Sequence, residues 1–414
     1  PAWVAVVVWP RVGGLRRWLT LLGPWLALAN AMLWAGLWMA DAASGADRDW
    51  RHFYDTARLV LDGRASEIYP GHTQGLPFLH PPYFVWAILP FGLLSRTGGY
   101  LASTAASIFA MAAAMWFLRR VLPGDLKRFG WAILAVLGSA SWTVALALGQ
   151  PIPWYLLFIC ATLFLWTRGQ PVRAGMIISL MMLKPNLGLV FPLLFVARGE
   201  RRMLLGWLAG FSVLLLSTIP LGATVWMRYL EAMRTVSAIV DQIPTWRQHT
   251  IAAFWWSFVH TPRLRTALWL ACALPLAALT GWAWLKADRK SSALPRLLGI
   301  TVLLAVTCSP YLHHYDVIIV SLPGMVWYLS PRSFRSATLR HVCGASLLAA
   351  YLIQQVSLWG MQGGLSLVGP VLAVWLVADA LDLAAGEVGA APSKGPPAIR
   401  TQASPAFADG GPRP

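Results

Sequence analysis

The sequence predicts an all-α, polytopic membrane protein of about 12 transmembrane helices with amphipathic helices on its outer face, the count following from the length an α-helix needs to cross a bilayer and from the side on which basic loops collect. Apolar runs recur from end to end, among them Trp18–Ala40, Leu101–Leu118, Met203–Leu221 and Ala267–Leu285. Each is close to the ~20 residues that span the hydrocarbon core. Only 12% of the 414 residues are charged, about half the share of a soluble domain. Basic residues, finally, fall in bursts between the runs.

Those bursts set the order of the elements. They are Arg11/Arg16/Arg17, Arg119/Arg120/Lys127/Arg128, Arg168/Arg173, Arg198/Arg201/Arg202, Lys286/Arg289/Lys290/Arg296 and Arg332/Arg335/Arg340. Lys and Arg collect in cytoplasmic loops, so an even number of crossings must separate neighbouring bursts. That predicts helices near 18–40, 99–118, 131–148, 152–167, 171–183, 185–197, 203–221, 266–286, 297–309, 315–329, 341–359 and 365–382. Both ends then lie inside: a cytoplasmic segment 1–17, a transmembrane domain 18–382, and a tail 383–414 whose Ala, Gly and Pro content reads as disordered. Pro82–Ser95, apolar but interrupted by Pro90, is left as an interfacial or re-entrant piece. Pro1–Pro10 carries no cleavage site of the signal-peptide kind.

The formal charge of +17 is absorbed by this orientation bias, so no nucleic-acid partner is expected. Cys160, Cys272, Cys308 and Cys343 form no CxxC or Cys/His cluster, which leaves neither a disulfide framework nor a zinc site. No GxxxxGK[ST] occurs, which argues against a cytoplasmic ATPase.

On this topology the outer face receives the 41–98 and 222–265 loops, the Gly149–Gln150–Pro151 turn, the Lys184–Pro185–Asn186 tip and "SPYLHHYD" at 309–316. Asp49 to Leu61 has helical rhythm: Phe53, Ala57, Val60 and Leu61 on one face, Arg51, Asp55, Arg58 and Asp62 on the other. It reads as an amphipathic helix on the outer membrane surface, started by Asp47 or Asp49 and ended by Gly63. The 222–265 loop holds a second amphipathic stretch, Trp226 to Val240, then the aromatic-rich "WRQHTIAAFWWSF".

"DWRHFYDTARLVLDG…IYP…FLHPPYFVWAILPFGLL", "GQPIPWYLLF", "LMMLKPNLGLVFPLLF" and "CSPYLHHYDVIIVSLP" follow one another in that order. Together they resemble glycosyltransferase family 87, of the GT-C superfamily, over roughly residues 45 to 330. His80 and His314 depart from the family's pattern, standing where a Tyr and an Asp are common. The resemblance implies a GT-C-like fold and an integral-membrane hexosyltransferase, with mannosyl the hexosyl unit first considered, of a bacterial plasma membrane. Its donor would be a polyprenyl-phosphate sugar at the outer, periplasmic leaflet; its acceptor, a glycolipid or glycan hydroxyl; its surroundings, membrane lipid. It implies no cofactor and no metal.

Such chemistry needs a carboxylate to accept the acceptor's proton and polar or cationic groups to hold the departing phosphate. By motif, Asp49 is the candidate base, with Asp47 able to exchange roles; for either, the plain alternative is helix capping. Arg51, His52, Lys184, His313, His314, Asp316 and Gln150 are the candidate phosphate and sugar contacts. Arg51 could equally be a solvated side chain, and the histidines ordinary interfacial hydrogen-bonders. Lys184 interrupts two apolar stretches, where a cation is costly unless it faces water or a partner; the alternative is snorkelling to the surface. Asn186, Arg247 and His249 are secondary candidates, while Trp255 and Trp256 read as membrane-belt aromatics. Competing readings are a flippase for a lipid-linked saccharide, which would show related halves and mid-membrane charges, and a surface-polysaccharide ligase or polymerase.

Overall fold

The computed structural model describes residues 13–43, 48–69, 78–240, 243–287, 293–358 and 365–385. Among these every regular element is helical, and the only β-type pairing is an isolated antiparallel bridge between Gln248 and His313.

The amino-terminal half contains α1 (Gly13–Ala43), α2 (Arg48–Leu61), α3 (Val85–Gly92), α4 (Arg96–Val121), α5 (Leu126–Leu137), α6 (Ala140–Ala147), α7 (Ile152–Thr167) and α8 (Pro171–Ile178). After a 3-10 turn, Ser179–Leu183, come α9 (Pro185–Gly188), α10 (Val190–Arg198), α11 (Arg201–Leu216), α12 (Ala223–Val240) and α13 (Ile251–Trp256). The remainder is α14 (Pro262–Lys286), α15 (Leu294–Cys308), a 3-10 stretch His314–Val320, α16 (Ser321–Leu329), α17 (Ala337–Leu358) and α18 (Val368–Ala384).

Among the described residues three helical segments are long and apolar enough to cross a membrane: Arg96–Val121, Arg201–Leu221 and Pro262–Lys286. The pair α5 and α6, bent by 54°, would make a fourth. The twelve expected crossings are therefore met at full length by three or four. The physical reason is burial. The windows on Arg201–Leu221 and Pro262–Lys286 are only 22% and 28% buried, and they display Leu205, Val213, Leu216 and Leu274 outward as lipid-facing helices do. By contrast α15 is buried along almost its whole length, and α7 and α15 have 16 and 15 residues. Helices walled by protein need not match the hydrocarbon thickness, because their ends find polar partners inside the bundle.

Two further segments differ from expectation or sharpen it. The amphipathic α2 does not lie free on a membrane surface: Trp50, Phe53 and Ala57 are buried, and α2 packs along α3. Pro82–Ser95 forms a 3-10 turn and the eight-residue α3, about 12 Å at 1.5 Å per residue, too short to cross. α3 covers the apolar face of α2 in place of lipid.

Small residues set the closest helix pair. A Cβ on Gly175 of α8 would collide with the Met203 carbonyl, and one on Gly206 of α11 with the Val172 carbonyl. This is the close backbone approach that small residues allow inside membranes. At one end of the bundle Arg296 opens α15 beneath α18. Its Nε donates to Asp379 Oδ1 at 2.9 Å, its Nη1 lies 2.9 Å from Asp382 Oδ2, and it stacks 3.9 Å over Phe334. Asp382 in turn accepts from the backbone N–H groups of Arg335 and Ser336, so one buried cluster joins α15, α18 and the 330–336 loop.

Gly206→Leu is expected to destabilise the purified protein by at least about 1–3 kcal/mol, the cost of overpacking. Gly281→Leu, at a position where a Cβ meets nothing within 4 Å, is expected to leave the thermal unfolding midpoint nearly unchanged.

Candidate active site

The site begins where a helix is broken. Pro185 disfavours helical geometry at the residue before it, and Lys184 accordingly leaves the helix with φ −132° and ψ 87°. A break in an apolar bundle frees carbonyls that need donors. The "HPPY" segment supplies them: Tyr83 Oη donates to Met182 O at 2.8 Å, and the His80 ring contacts Leu183 O through Nδ1 at 3.2 Å. His80 is stacked on Phe84 with ring centres 4.0 Å apart.

Turned inward at the break, Lys184 Nζ lies 2.5 Å from Asp316 Oδ1 and 5.5 Å above the Tyr315 ring. Asp316 is fully buried, and its other oxygen accepts from the His313 backbone N–H at 2.9 Å, capping the His314–Val320 stretch. Asn186 fixes the same loop from the far side of Pro185, donating to Ser309 Oγ and Tyr311 O, both at 3.0 Å. The loop is completed by the Gln248–His313 bridge, by His249 N–H on Leu312 O at 3.0 Å, and by Ser141 Oγ on His314 O at 2.7 Å.

Asp49 reaches this assembly through the Gly149–Gln150 turn. Gly149 has φ +67°, a conformation few other residues adopt, and a Cβ there would come 2.9 Å from Trp50 Cβ. That approach brings Gln150 Nε2 to 2.6 Å from Asp49 Oδ2; no other hydrogen bond to this carboxylate is made among the described residues. Trp50 anchors the same turn of α2 by donating from Nε1 to Arg96 O at 3.2 Å. Burial pushes the Asp49 carboxyl above the usual carboxylate range; the Gln150 hydrogen bond, His52 and Lys184 pull it part of the way back, and Asp316 pushes it up.

Asp49, His52, Gln150, Lys184, His313, His314 and Asp316 thus come from distant stretches into one neighbourhood. Arg51 does not turn toward it. It is exposed and pairs with Asp55 one helical turn away at 3.6 Å, a solvated position. Asp47 lies outside the described residues. Lys184 neither snorkels nor stands open to a ligand: Asp316 occupies it. His249 is fully buried 6.2 Å from the His314 ring, and neither of its ring nitrogens is hydrogen-bonded among the described residues.

Burial holds His80, His249, His313 and His314 down at about 3, helped by Lys184 at His80 and His313 and by neighbouring histidines elsewhere. All four are neutral at pH 7, and Lys184 is the cation within the buried assembly. Sequence reasoning missed His80, Tyr83 and Tyr155. The last is buried, and its hydroxyl has no hydrogen-bond partner among the described residues. The Lys-Pro break showed that donors were needed, but it does not say which residues supply them.

A family comparison fits this arrangement: the profile of glycosyltransferase family 87 matches residues 78–310, more than half of the chain. The chain belongs to glycosyltransferase family 87. Neither a curated protein nor a solved structure matches it. The matched region contains His80, Gln150 and Lys184, whereas Asp49 precedes it and His313, His314 and Asp316 follow it. Membership makes the protein a glycosyltransferase, one that acts on a sugar donor and an acceptor.

Removing one member of the buried pair should cost more than removing both. Lys184→Met strands the Asp316 carboxylate and is expected to cost about 3–5 kcal/mol, and Lys184→Met/Asp316→Asn less. A double-mutant cycle of unfolding free energies measures the difference. The four histidines generate a pH dependence of known sign. Their folded values lie below the ordinary 6.5, so the unfolded chain binds protons first as pH falls. Stability is expected to be full above about pH 6.5 and to decline from there toward pH 3, with a shallower decline in His249→Gln, read from unfolding midpoints across pH.

Proposed function

We propose that this family 87 enzyme transfers a hexosyl unit, in the first instance mannosyl, from a polyprenyl-phosphate donor to an acceptor hydroxyl at the outer face of a bacterial plasma membrane. Asp49 is the general base. The observation that carries this reading is the Asp49 carboxylate itself: held on one oxygen by Gln150, raised in pKa by burial, and close enough to Lys184 and Asp316 to feel both charges.

In the proposed step the acceptor oxygen forms a bond to the anomeric carbon as the bond from that carbon to the phosphate oxygen breaks. The acceptor's proton passes to Asp49, and the bonding pair leaves with the lipid phosphate. Gln150 keeps one carboxylate oxygen in place, leaving the other for the hydroxyl. A base whose pKa has moved toward the operating pH is better matched to this transfer than a free carboxylate.

Lys184 and the neutral histidines 313 and 314 are the leaving-group contacts. Before donor binds, Asp316 neutralises Lys184 and holds it in place. An arriving phosphate then shares the ammonium, and its negative charge favours protonation of His313, which is why a cation can be stored here without an exposed site. Orientation follows from the basic bursts, which put the Asp49 end outside, and the roughly twelve crossings of the expected GT-C-like topology include the short protein-walled helices.

With purified protein in detergent and a labelled polyprenyl-phosphate mannose, wild type is expected to release polyprenyl phosphate and form glycosylated acceptor, which a flippase would not do. Asp49→Asn keeps an acceptor for the Gln150 hydrogen bond and is expected to fold normally yet lose about 100-fold or more in turnover. Unchanged turnover would remove Asp49 from the mechanism. Because the Asp49 pKa is raised, the acid limb of kcat/KM should lie above the 3.8 of an ordinary aspartate, as measured in a pH–rate profile.

A further inference from the structure

Three helices connect the Asp49 site to the opposite end of the molecule. α4 starts at Arg96, whose carbonyl holds the Trp50 indole, and ends at Val121. α7 starts beside Gln150 and ends at Thr167; α15 ends beside Ser309 and starts at Leu294. Twenty-six residues in α4 place its two ends about 39 Å apart.

At that far end the Arg120–Arg128 connection, the Thr167–Arg168 turn, Pro295 and the 329–333 loop surround a concavity of about 880 Å³. Arg120, Arg128, Arg168 and Arg332 line it together with Thr167, Ser330 and Ser333, and among the described residues no carboxylate does. None of the four arginines is in an ion pair with a described acidic residue. The acids close in sequence or space are already engaged: Asp125 caps α5 by accepting from the Arg128 N–H at 2.7 Å, and Asp379 and Asp382 are buried under Arg296. Four guanidinium groups around one cavity, with no described carboxylate lining it, repel one another, and an anion relieves that.

The arginines are also posed for a ligand at a membrane edge. Arg120 lies 5.2 Å over Trp116 and Arg168 5.1 Å over Phe164, so each charged group is carried on an aromatic surface at the end of an apolar helix. Arg128 is steadied by donating to Tyr328 O at 2.8 Å. Beside the groove, Trp116 and Leu126 are 50% and 75% exposed, an apolar flank next to a cationic floor. Guanidinium forks match phosphate oxygens in pairs. A preference of basic loops for one side of a membrane explains the charge count, but it does not explain a shared, carboxylate-free cavity.

We propose that this groove is a phosphate-binding site, separate from the glycosyl-transfer site and independent of how that site is read. Its ligand is a phosphate group, carried either by an anionic lipid headgroup or by a soluble phosphate compound.

The test uses the full chain, purified and delipidated in neutral detergent, and follows its thermal unfolding midpoint during titration with phosphatidylglycerol, phosphatidylcholine or inorganic pyrophosphate. Phosphatidylglycerol is expected to raise the midpoint, and phosphatidylcholine is not. Arg120→Gln/Arg168→Gln, which removes two exposed charges, is expected to weaken apparent affinity roughly tenfold, whereas Arg120→Lys/Arg168→Lys retains much of it and Lys286→Gln, outside the groove, all of it. A pyrophosphate effect that the double Gln variant loses would instead assign the site to a soluble phosphate. The proposal is overturned if neither phosphate probe acts, or if both act equally on wild type and the double Gln variant. Arg332→Gln, in the exposed loop, supplies the same comparison should the double variant fail to fold.

Discussion

The buried Lys184–Asp316 pair is the interaction around which this end of the molecule is built. Taking two charges out of water is costly, and their attraction offsets the cost only when geometry and remaining hydrogen bonds are satisfied. Both conditions are met here by residues that also shape the site. Asp316 uses its second oxygen to cap the stretch that begins at His313, and Asn186 pins the same loop from the other side of Pro185. The broken helix that presents Lys184 would leave Met182 and Leu183 carbonyls unsatisfied without Tyr83 and His80. One proline thus creates the need for most of the polar contacts around it.

Asp49 joins this framework from outside the matched family region through a contact that is chiefly steric. Gly149 makes room for Trp50, and the approach sets Gln150 against the carboxylate. Electrostatics then makes the site asymmetric. The neutral histidines add polarity but no charge, Lys184 and Asp316 cancel, and Asp49 is left as the carboxylate without a cationic partner in contact among the described residues. A carboxyl in that position is raised by desolvation and suits proton acceptance better than structural pairing.

At the end of the bundle away from Asp49, arginines are used in two ways. Arg296 is buried with Asp379 and Asp382 and knits α15 to α18 and the 330–336 loop. Among the described residues the arginines around the nearby groove have no paired acid, and Arg120 and Arg168 lie across aromatic rings instead. Burial separates the roles: a guanidinium 2% exposed must be neutralised internally, whereas exposed ones are free to meet an anion.

Element types were legible because they rest on local rules, whereas the candidate residues rest on the resemblance to family 87. Apolar runs between basic bursts predict helices, the Asp49–Leu61 rhythm predicts one amphipathic helix, and Lys-Pro predicts a break. Pro82–Ser95 is short and interrupted by Pro90, and a crossing there would put the later basic bursts outside, which marks it as interfacial or re-entrant. What α2 packs against and whether Lys184 is open or paired are decided by contacts between stretches apart in sequence, reaching some 100 residues or more for Gln150 on Asp49 and Lys184 on Asp316. The number of full-length spans was decided the same way, since a run of apolar residues looks alike whether lipid or protein surrounds it. By itself, then, the sequence determined where the chain is helical, where it breaks and which residues can carry charge. Only the tertiary structure decided which of those charges face one another, because burial and distance, not residue type, set the energy of an ion.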